Sequence, residues 1–486
     1  MNLLTDDWVP VSHHGEYKHV SLKEILCRDE DWEISCPRDD FELATLQLLI
    51  CLTQVLFTPQ NAQELKARHA QVLDEAEYLL GINKYLDWFD LLHPTQPFMQ
   101  IRGVESKDWT PIQKLFIGLP EGNNHAFFNN VGEVKKVGLN YAAIALFHQA
   151  SNCPSFGGGF KGSLRGGAPL STFIKGDSLR QTLWLNILHQ DFLSQQDYPL
   201  ANQPVWVEQI KASQKIYPHQ ISLLKGLFWQ PGHIELLISS EPSICDITNQ
   251  KCEQNVYGFK KEKFNYSIED VWRHPHSPLL WFEKKGQIEK KYASFTTTAP
   301  AWTQLSQFIL TVEEKKDGYS PALTISQFYE VFPSKKISLI IGGYRNKQAS
   351  ILERRHELIS LSEGWETQGK TIQTIIDMAL NIKKTLRNQL YGFGKNIGTE
   401  GLADQGEALF YQRSESMIHQ LFRTMKWSEA KETKKLLTQQ LMELALAIFE
   451  DVTRPYQHEP KMMKAYVTSK SSLRNHLFKS QKEEAA

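Results

Sequence analysis

The stretch Thr371-Ile-Gln-Thr-Ile-Ile-Asp-Met-Ala-Leu-Asn-Ile-Lys-Lys-Thr-Leu-Arg-Asn-Gln-Leu390 sets Ile372, Ile375, Ile376, Ala379, Ile382, Leu386 and Leu390 three or four residues apart. That spacing puts all seven on one face of a helix. Phe410, Met417, Leu421 and Met425 repeat the pattern, Leu437, Leu441, Leu444, Ile448 and Val452 repeat it again, and Met462–Phe478 makes a fourth amphipathic segment. The breaks hold Gly392, Gly394 and Gly398, then Ser428 as an N-cap, then Pro455 and Pro460. Four amphipathic segments with short connections predict a four-helix bundle over residues 361–486.

Upstream of residue 360 the texture is different. Phe41–Phe57 reads as a buried helix, with Asp39 and Asp40 at the positive end of its dipole. Ile234–Ile238 and Ile337–Ile341 read as strands bounded by Pro231-Gly232 and Gly342-Gly343. Strands and helices do not alternate regularly, which argues against a doubly wound parallel sheet. The expected fold class is α+β: a large mixed globular domain over 1–360, then the bundle.

The chain has 486 residues, of which 41% are hydrophobic and 22% charged, so wholesale disorder is excluded. Its 54 Lys and Arg against 55 Asp and Glu leave a net charge of −1, which taken whole argues against a nucleic-acid binder. The sum hides a segregation. Residues 1–109 hold 9 basic and 19 acidic side chains, and residues 110–486 hold 45 and 36. The N-terminus shows no basic and apolar signal-peptide pattern, and Phe41–Phe57 is too short and too polar for a bilayer. Six cysteines are scattered without a disulfide rhythm. A cytoplasmic protein without a membrane segment is expected.

Three basic stretches stand out. Phe156-Gly-Gly-Gly-Phe-Lys-Gly-Ser-Leu-Arg-Gly-Gly167 carries six glycines with Lys161 and Arg165 among them. Gly157, Gly159 and Gly162 match a dinucleotide fingerprint in spacing only, because a helix-forming segment precedes them where a strand is required. So many glycines beside cations suit a loop whose backbone approaches an anionic surface closely. Gly258–Phe264 interleaves Lys260, Lys261 and Lys263 with aromatics, and Ser334–Arg355 holds six basic residues against Glu353. On one face, these stretches would make the electrostatic footprint of a phosphate-backbone binder. Chemistry-bearing clusters are missing by comparison. Cys245 and Cys252 have no second cysteine pair, His274-Pro-His276 has no third ligand at metal spacing, and no nucleophile or nucleotide-hydrolysis signature occurs. No catalytic residue, metal site or cofactor is expected.

Longer motifs carry a family resemblance. They are Met1-Asn-Leu-Leu-x-Asp-x-Trp-x-Pro10, Pro37-Arg-Asp-Asp40, His93-Pro94 to Pro97-Phe-Met-Gln100, Ala143–Phe147, Phe156–Gly167, Gly226–Pro231, His274–Pro278, Gly342–Asn346 and Gln348–His356. In this order and over essentially the whole chain, the sequence resembles the CasA family, the large subunits of the type I-E CRISPR surveillance complex, Cascade. The resemblance implies a non-catalytic subunit that reads the protospacer-adjacent motif in double-stranded target DNA from the minor groove. It further implies that the subunit starts duplex unwinding and helps recruit an effector, while pairing with a guide RNA reads the remaining sequence.

Residue by residue, the resemblance implies a motif-binding loop centred on Phe156, Gly157 and Gly158, a motif-binding lysine at Lys263, and a wedge at Gln348. Lys161, Arg165 and Arg345 are expected on the DNA backbone. Two positions depart from the family pattern: Ser155 stands where a glycine is usual and Lys347 where an asparagine is usual. Both are expected at the motif, shifting its preference. Phe127, Phe128 and Asn129 match a loop that docks onto guide RNA and the backbone subunits, and the bundle would meet the small subunits and the displaced strand. The downstream partner would be a helicase-nuclease or, in a transposon-associated version, transposition proteins. A rival reading, an independent metal-dependent nuclease, needs a carboxylate cluster that the sequence does not display.

Overall fold

The computed structural model describes residues 1–119, 132–199, 203–313, 316–347 and 350–485. It is α+β, and it divides into two compact units, each considered alone. The first comprises Met1–Thr296, Thr311–Pro333 and Leu339–Leu358; the second comprises Thr297–Leu310, Ser334–Ser338 and Ile359–Ala486. The helical unit is therefore not one run of chain: two upstream segments join it.

At the centre of the first unit lies the helix Asp39–Leu56, buried along almost its full length. Asp39, Asp40 and Glu42 occupy its first turn, where carboxylates oppose the dipole favourably. It packs against the helices Leu139–Asn152 and Leu179–Leu185. Around this helical core run short sheets. In one, the strand Asn255–Glu262 pairs antiparallel with His233–Ser239, Val137–Gly138 and Thr110–Pro111. In another, Ile337–Lys347 lies between Ser350–Leu361 and Ser171–Ile174. Leu339 to Gly342 run antiparallel against Ile174 to Ser171. A Cβ at Gly342 would sit 2.2 Å from the Leu43 side chain of the central helix, which would have to shift to admit it.

The C-terminal region is helical, with the helices Gly369–Ile397, Leu402–Thr424, Ala430–Thr453 and Pro460–Ala485. All seven stripe residues of the first are buried. Two local expectations shift. Gly392 and Gly394 do not break the helix; it runs through them and ends at Gly398, which caps it at φ +72°. Gly394 is instead needed for close packing, because a Cβ would come within 2.6 Å of the Thr399 carbonyl. Ser428 is not an N-cap either: it sits inside a 3₁₀ turn, Trp427–Glu429, and the helix starts at Ala430. No helix among the described residues is long and apolar enough to cross a membrane.

Candidate functional site

The glycine-rich loop follows directly from the C-terminus of the helix Leu139–Asn152. Gly157, Gly158 and Gly159 take φ of +78°, +57° and +88° in succession, a conformation that L side chains disfavour. The loop is seated by aromatic rings. Phe156 packs edge-on to Phe160 at 5.6 Å and against the buried Phe259 at 5.7 Å. Lys261 Nζ lies 5.0 Å from the Phe156 ring centre and 5.8 Å from those of Phe160 and Phe259. This cation is held by ring faces. Ser155 Oγ accepts from the Gly157 N–H at 3.3 Å, so the serine side chain caps the turn it introduces.

Lys263 lies just past the end of the strand Asn255–Glu262, and its Nζ donates to the Gly158 carbonyl at 2.8 Å. Two stretches 105 residues apart are thereby joined at one point. An ammonium has three donors, so two remain for a ligand. Lys263, Lys161, Gly158 and Gly159 are all exposed. The base of the loop also meets the hairpin of Ile337–Lys347 and Ser350–Leu361: Cys153, Ala168, Tyr344 and Ile117 form a small apolar cluster, with Ile351 packed on it. A small cleft of about 50 Å³ lies there, lined among others by Ser155, Phe156, Gly118 and Ile351. Lys347 is exposed at the strand end.

Other expected cations are placed differently. Arg165 is a correction: it is only 5% exposed and cannot meet a phosphate backbone. Its guanidinium donates to Ser171 Oγ at 2.8 Å, Ser277 Oγ at 2.7 Å, the Ser151 carbonyl at 2.7 Å and Asn152 Oδ1 at 2.8 Å. Burial pushes it down to about 10. Arg180, outside the three stretches, is buried too, gripping Asp29 and the carbonyls of Arg68, His69 and Gln71. Arg345 pairs with Glu353 at 2.8 Å, Arg354 with Asp39 at 2.6 Å, and Arg355 lies 3.4 Å from Glu353 and Glu357. Summing charge along the sequence therefore overstated the exposed positive surface. Gln348 and the expected docking residues Phe127, Phe128 and Asn129 lie outside the described residues. Further along the chain, the Lys135 and Lys136 N–H groups donate to Asp246 Oδ2 at 2.7 and 2.8 Å.

Sequence reading missed Asp40 as a site-building residue. It is 4% exposed and is gripped by Arg38 through Nε at 2.9 Å and Nη2 at 2.6 Å. Burial opposes its ionisation, but the nearby His148, 3.7 Å away, and the hydrogen bonds and charge of Arg38 hold its carboxyl well below the usual carboxylate range. The Pro37-Arg-Asp-Asp40 motif was the only available signal. His274 and His276 are buried, and burial lowers both, His276 to about 3. Among the described residues no group of three His, Cys, Asp or Glu is placed to hold a metal ion.

A glycine-backbone loop, ring-seated and rimmed by exposed lysines, presents an exposed cationic surface on an α+β scaffold. The chain belongs to the CRISPR-associated protein Cse1 family, whose model matches residues 2–448. It is 28% identical over 224 residues to the CRISPR-associated protein CasA/Cse1 of Thermus thermophilus; the match covers 42% of this chain and 42% of that relative. In fold it is similar to the solved structure of Thermus thermophilus CasA (Cse1), with TM-score 0.75, 18% identity and 99% of each chain covered. It is also similar to a chain of a CRISPR RNA-guided surveillance complex, with TM-score 0.67, 16% identity and coverage of 97% of this chain and 99% of that one.

Proposed function

We propose that this chain is the non-catalytic large subunit of a type I-E Cascade complex in the cytoplasm. It recognises the protospacer-adjacent motif in double-stranded DNA from the minor groove, starts unwinding for guide-RNA pairing, and helps recruit an effector. Family membership and likeness to a surveillance-complex chain support the assembly. The observation that supports the motif reading is the hydrogen bond from Lys263 to the Gly158 carbonyl. It gathers into one exposed point a backbone that can press on a groove floor and an ammonium with donors to spare.

The minor groove presents a degenerate pattern, chiefly A·T against G·C. A glycine backbone fits such a shallow surface, and a lysine held at its rim donates to base acceptors or sits in the groove's negative potential. Ser155 stiffens the turn through Gly157, and Lys347 brings one more charge; both shift the preferred motif. Gln348 acts as the wedge, offsetting unstacking of a few kcal/mol per step with contacts from Lys161 and its neighbours. Phe127, Phe128 and Asn129 dock on guide RNA and backbone subunits, and the helical region meets the small subunits. The effector is a helicase-nuclease or a set of transposition proteins.

The test is motif-resolved DNA binding by the assembled complex. Lys263→Ala should weaken the preferred motif about tenfold, a loss of ~1.4 kcal/mol, and a pre-opened bubble target should not restore it. Gln348→Ala should slow opening, and the bubble target should restore it. Equal rescue of both variants, or an unchanged motif profile for Lys263→Ala, would overturn this division of roles.

A further inference from the structure

Beneath the loop runs an unbroken line of hydrogen bonds from a buried cation to a buried anion. Arg165 Nη2 donates to Asn152 Oδ1 at 2.8 Å. Asn152 Nδ2 lies 3.1 Å from His148 Nδ1, and His148 Nε2 lies 2.7 Å from Tyr344 Oη. Tyr344 Oη donates to Asp40 Oδ2 at 2.7 Å. The direction of each bond follows from its two ends. Arginine only donates, so the Asn152 oxygen faces it and the amide N–H₂ faces His148. His148 Nδ1 must then accept, its proton sits on Nε2 and goes to Tyr344, and Tyr344 is left to donate to Asp40. Every member has one satisfied role, and reversing any of them would set two donors or two acceptors face to face.

The line spans elements far apart in sequence. Asp40 begins the central helix, His148 and Asn152 sit on the last turns of the helix that launches the glycine loop, and Arg165 lies near the loop's end. Tyr344 is three residues before Lys347 on the hairpin strand, and its ring packs on Cys153 and Ala168 at the two roots of the loop. Arg38 extends the line, donating to the Ile117 carbonyl at 2.6 Å, on the wall of the cleft that separates loop and hairpin. Arg165 makes no ion pair among the described residues, so its burial depends on these neutral acceptors, and that dependence fixes the loop's geometry.

We propose that the Arg165–Asn152–His148–Tyr344–Asp40 line is a positioning device that locks the glycine loop and the hairpin into one rigid body, so that reading the motif and opening the duplex are coupled. The proposal rests on the motif-recognition reading above. These are positioning residues that act through Lys263, Gly158 and the two hairpin strands. A loop free to shift against the hairpin would still accept a motif, but the hairpin strands would no longer hold their register with it.

Tyr344→Phe removes only the hydroxyl and keeps the ring in its apolar cluster. In the assembled complex, opening is followed by a fluorescent base analogue beside the motif, on duplexes of varied motif and on pre-opened bubbles. Tyr344→Phe should cut the opening-rate ratio between preferred and non-preferred motifs about five- to tenfold. Binding to motif-free DNA should not change, and the bubble target should restore wild-type occupancy. Asn152→Ser, which cuts the same line at another joint, should reproduce this.

Wild-type coupling in both variants would overturn the proposal. So would a loss of binding to every duplex alike together with a fall in Tm, the signature of a merely structural role. Lys263→Ala, measured in parallel, separates the two levels. No effect of Lys263→Ala on motif selectivity refutes the functional reading itself; an effect of Lys263→Ala with none of Tyr344→Phe refutes the coupling alone.

Discussion

Two charged networks of similar size sit in the two units, and they differ in almost everything that matters energetically. Under the glycine loop, Asp40 is buried among Arg38, Tyr344 and His148. In the helical unit, Glu407 on Leu402–Thr424 meets Lys383 and Arg387 of Gly369–Ile397, and Arg387 also reaches Asp404 at 2.8 Å. The Asp404 side chain is 76% exposed and Arg387 41%. An ion pair in water contributes little, whereas a buried charge stripped of its partners is expensive. Ion pairs should be weighed by what they leave stranded when broken.

The largest effect is expected where the most would be stranded. Asp40→Ala leaves Arg38 and Tyr344 facing a cavity and should destabilise by about 3–5 kcal/mol in denaturant unfolding. Titration sharpens the point. Because the folded state holds this carboxyl below its usual value, its contribution is complete above the unfolded carboxylate pKa of about 4 and fades as pH falls through and below it. The stability gap between wild type and Asp40→Asn should therefore be widest near neutrality and narrow below about pH 4. A gap that does not vary with pH would assign Asp40's role to packing.

The next contrast lies within the glycine loop, between a cation turned inward and one turned outward. Arg165→Met strands Ser171, Ser277, Asn152 and the Ser151 carbonyl, and should cost about 2–4 kcal/mol. Arg165→Lys should recover part of that, having three donors. Lys161→Ala should leave stability within about 0.5 kcal/mol. It should instead reduce the salt dependence of DNA binding by the assembled complex by about one unit of slope in log K against log salt. If Arg165→Met lowers that slope and Lys161→Ala does not, the assignment of inner and outer cations is wrong.

This contrast also shows where sequence reading succeeds. Helical periodicity is local, so the stripe from Ile372 to Leu390 could be read directly, and all seven residues are buried. The expected breaks at Gly392 and Gly394 were read from glycine's usual role, but at Gly394 close packing against Thr399 demanded the missing Cβ. Family resemblance assigns both the loop and Lys263 to the motif, but the contact between them spans 105 residues and leaves no local pattern. Tyr344 and Asp40 are 304 residues apart, and a hydrogen bond over that distance leaves no local pattern. Arg165 looked like a surface cation because glycines and Lys161 surround it. Burial is a tertiary property, and the acceptors that permit it, Ser171 and Ser277, come from elsewhere in the chain.

The smallest effect belongs to the helical network. Glu407→Gln removes the charge that Lys383 and Arg387 share but leaves an amide that still accepts a hydrogen bond. Arg387 stays in contact with water and keeps Asp404, while Lys383 is 16% exposed. The Glu407 carboxyl is opposed by burial, but Lys383 and then Arg387 outweigh this and hold it below its ordinary value. That stabilising share is present above the usual carboxylate range and lost as pH falls below it. Solvent screening limits the net cost to about 0.5–1 kcal/mol, and about 0.5 M salt should erase most of it. A loss from Glu407→Gln as large as that from Asp40→Ala, and equally resistant to salt, would mean that burial does not decide the value of a charge in this protein.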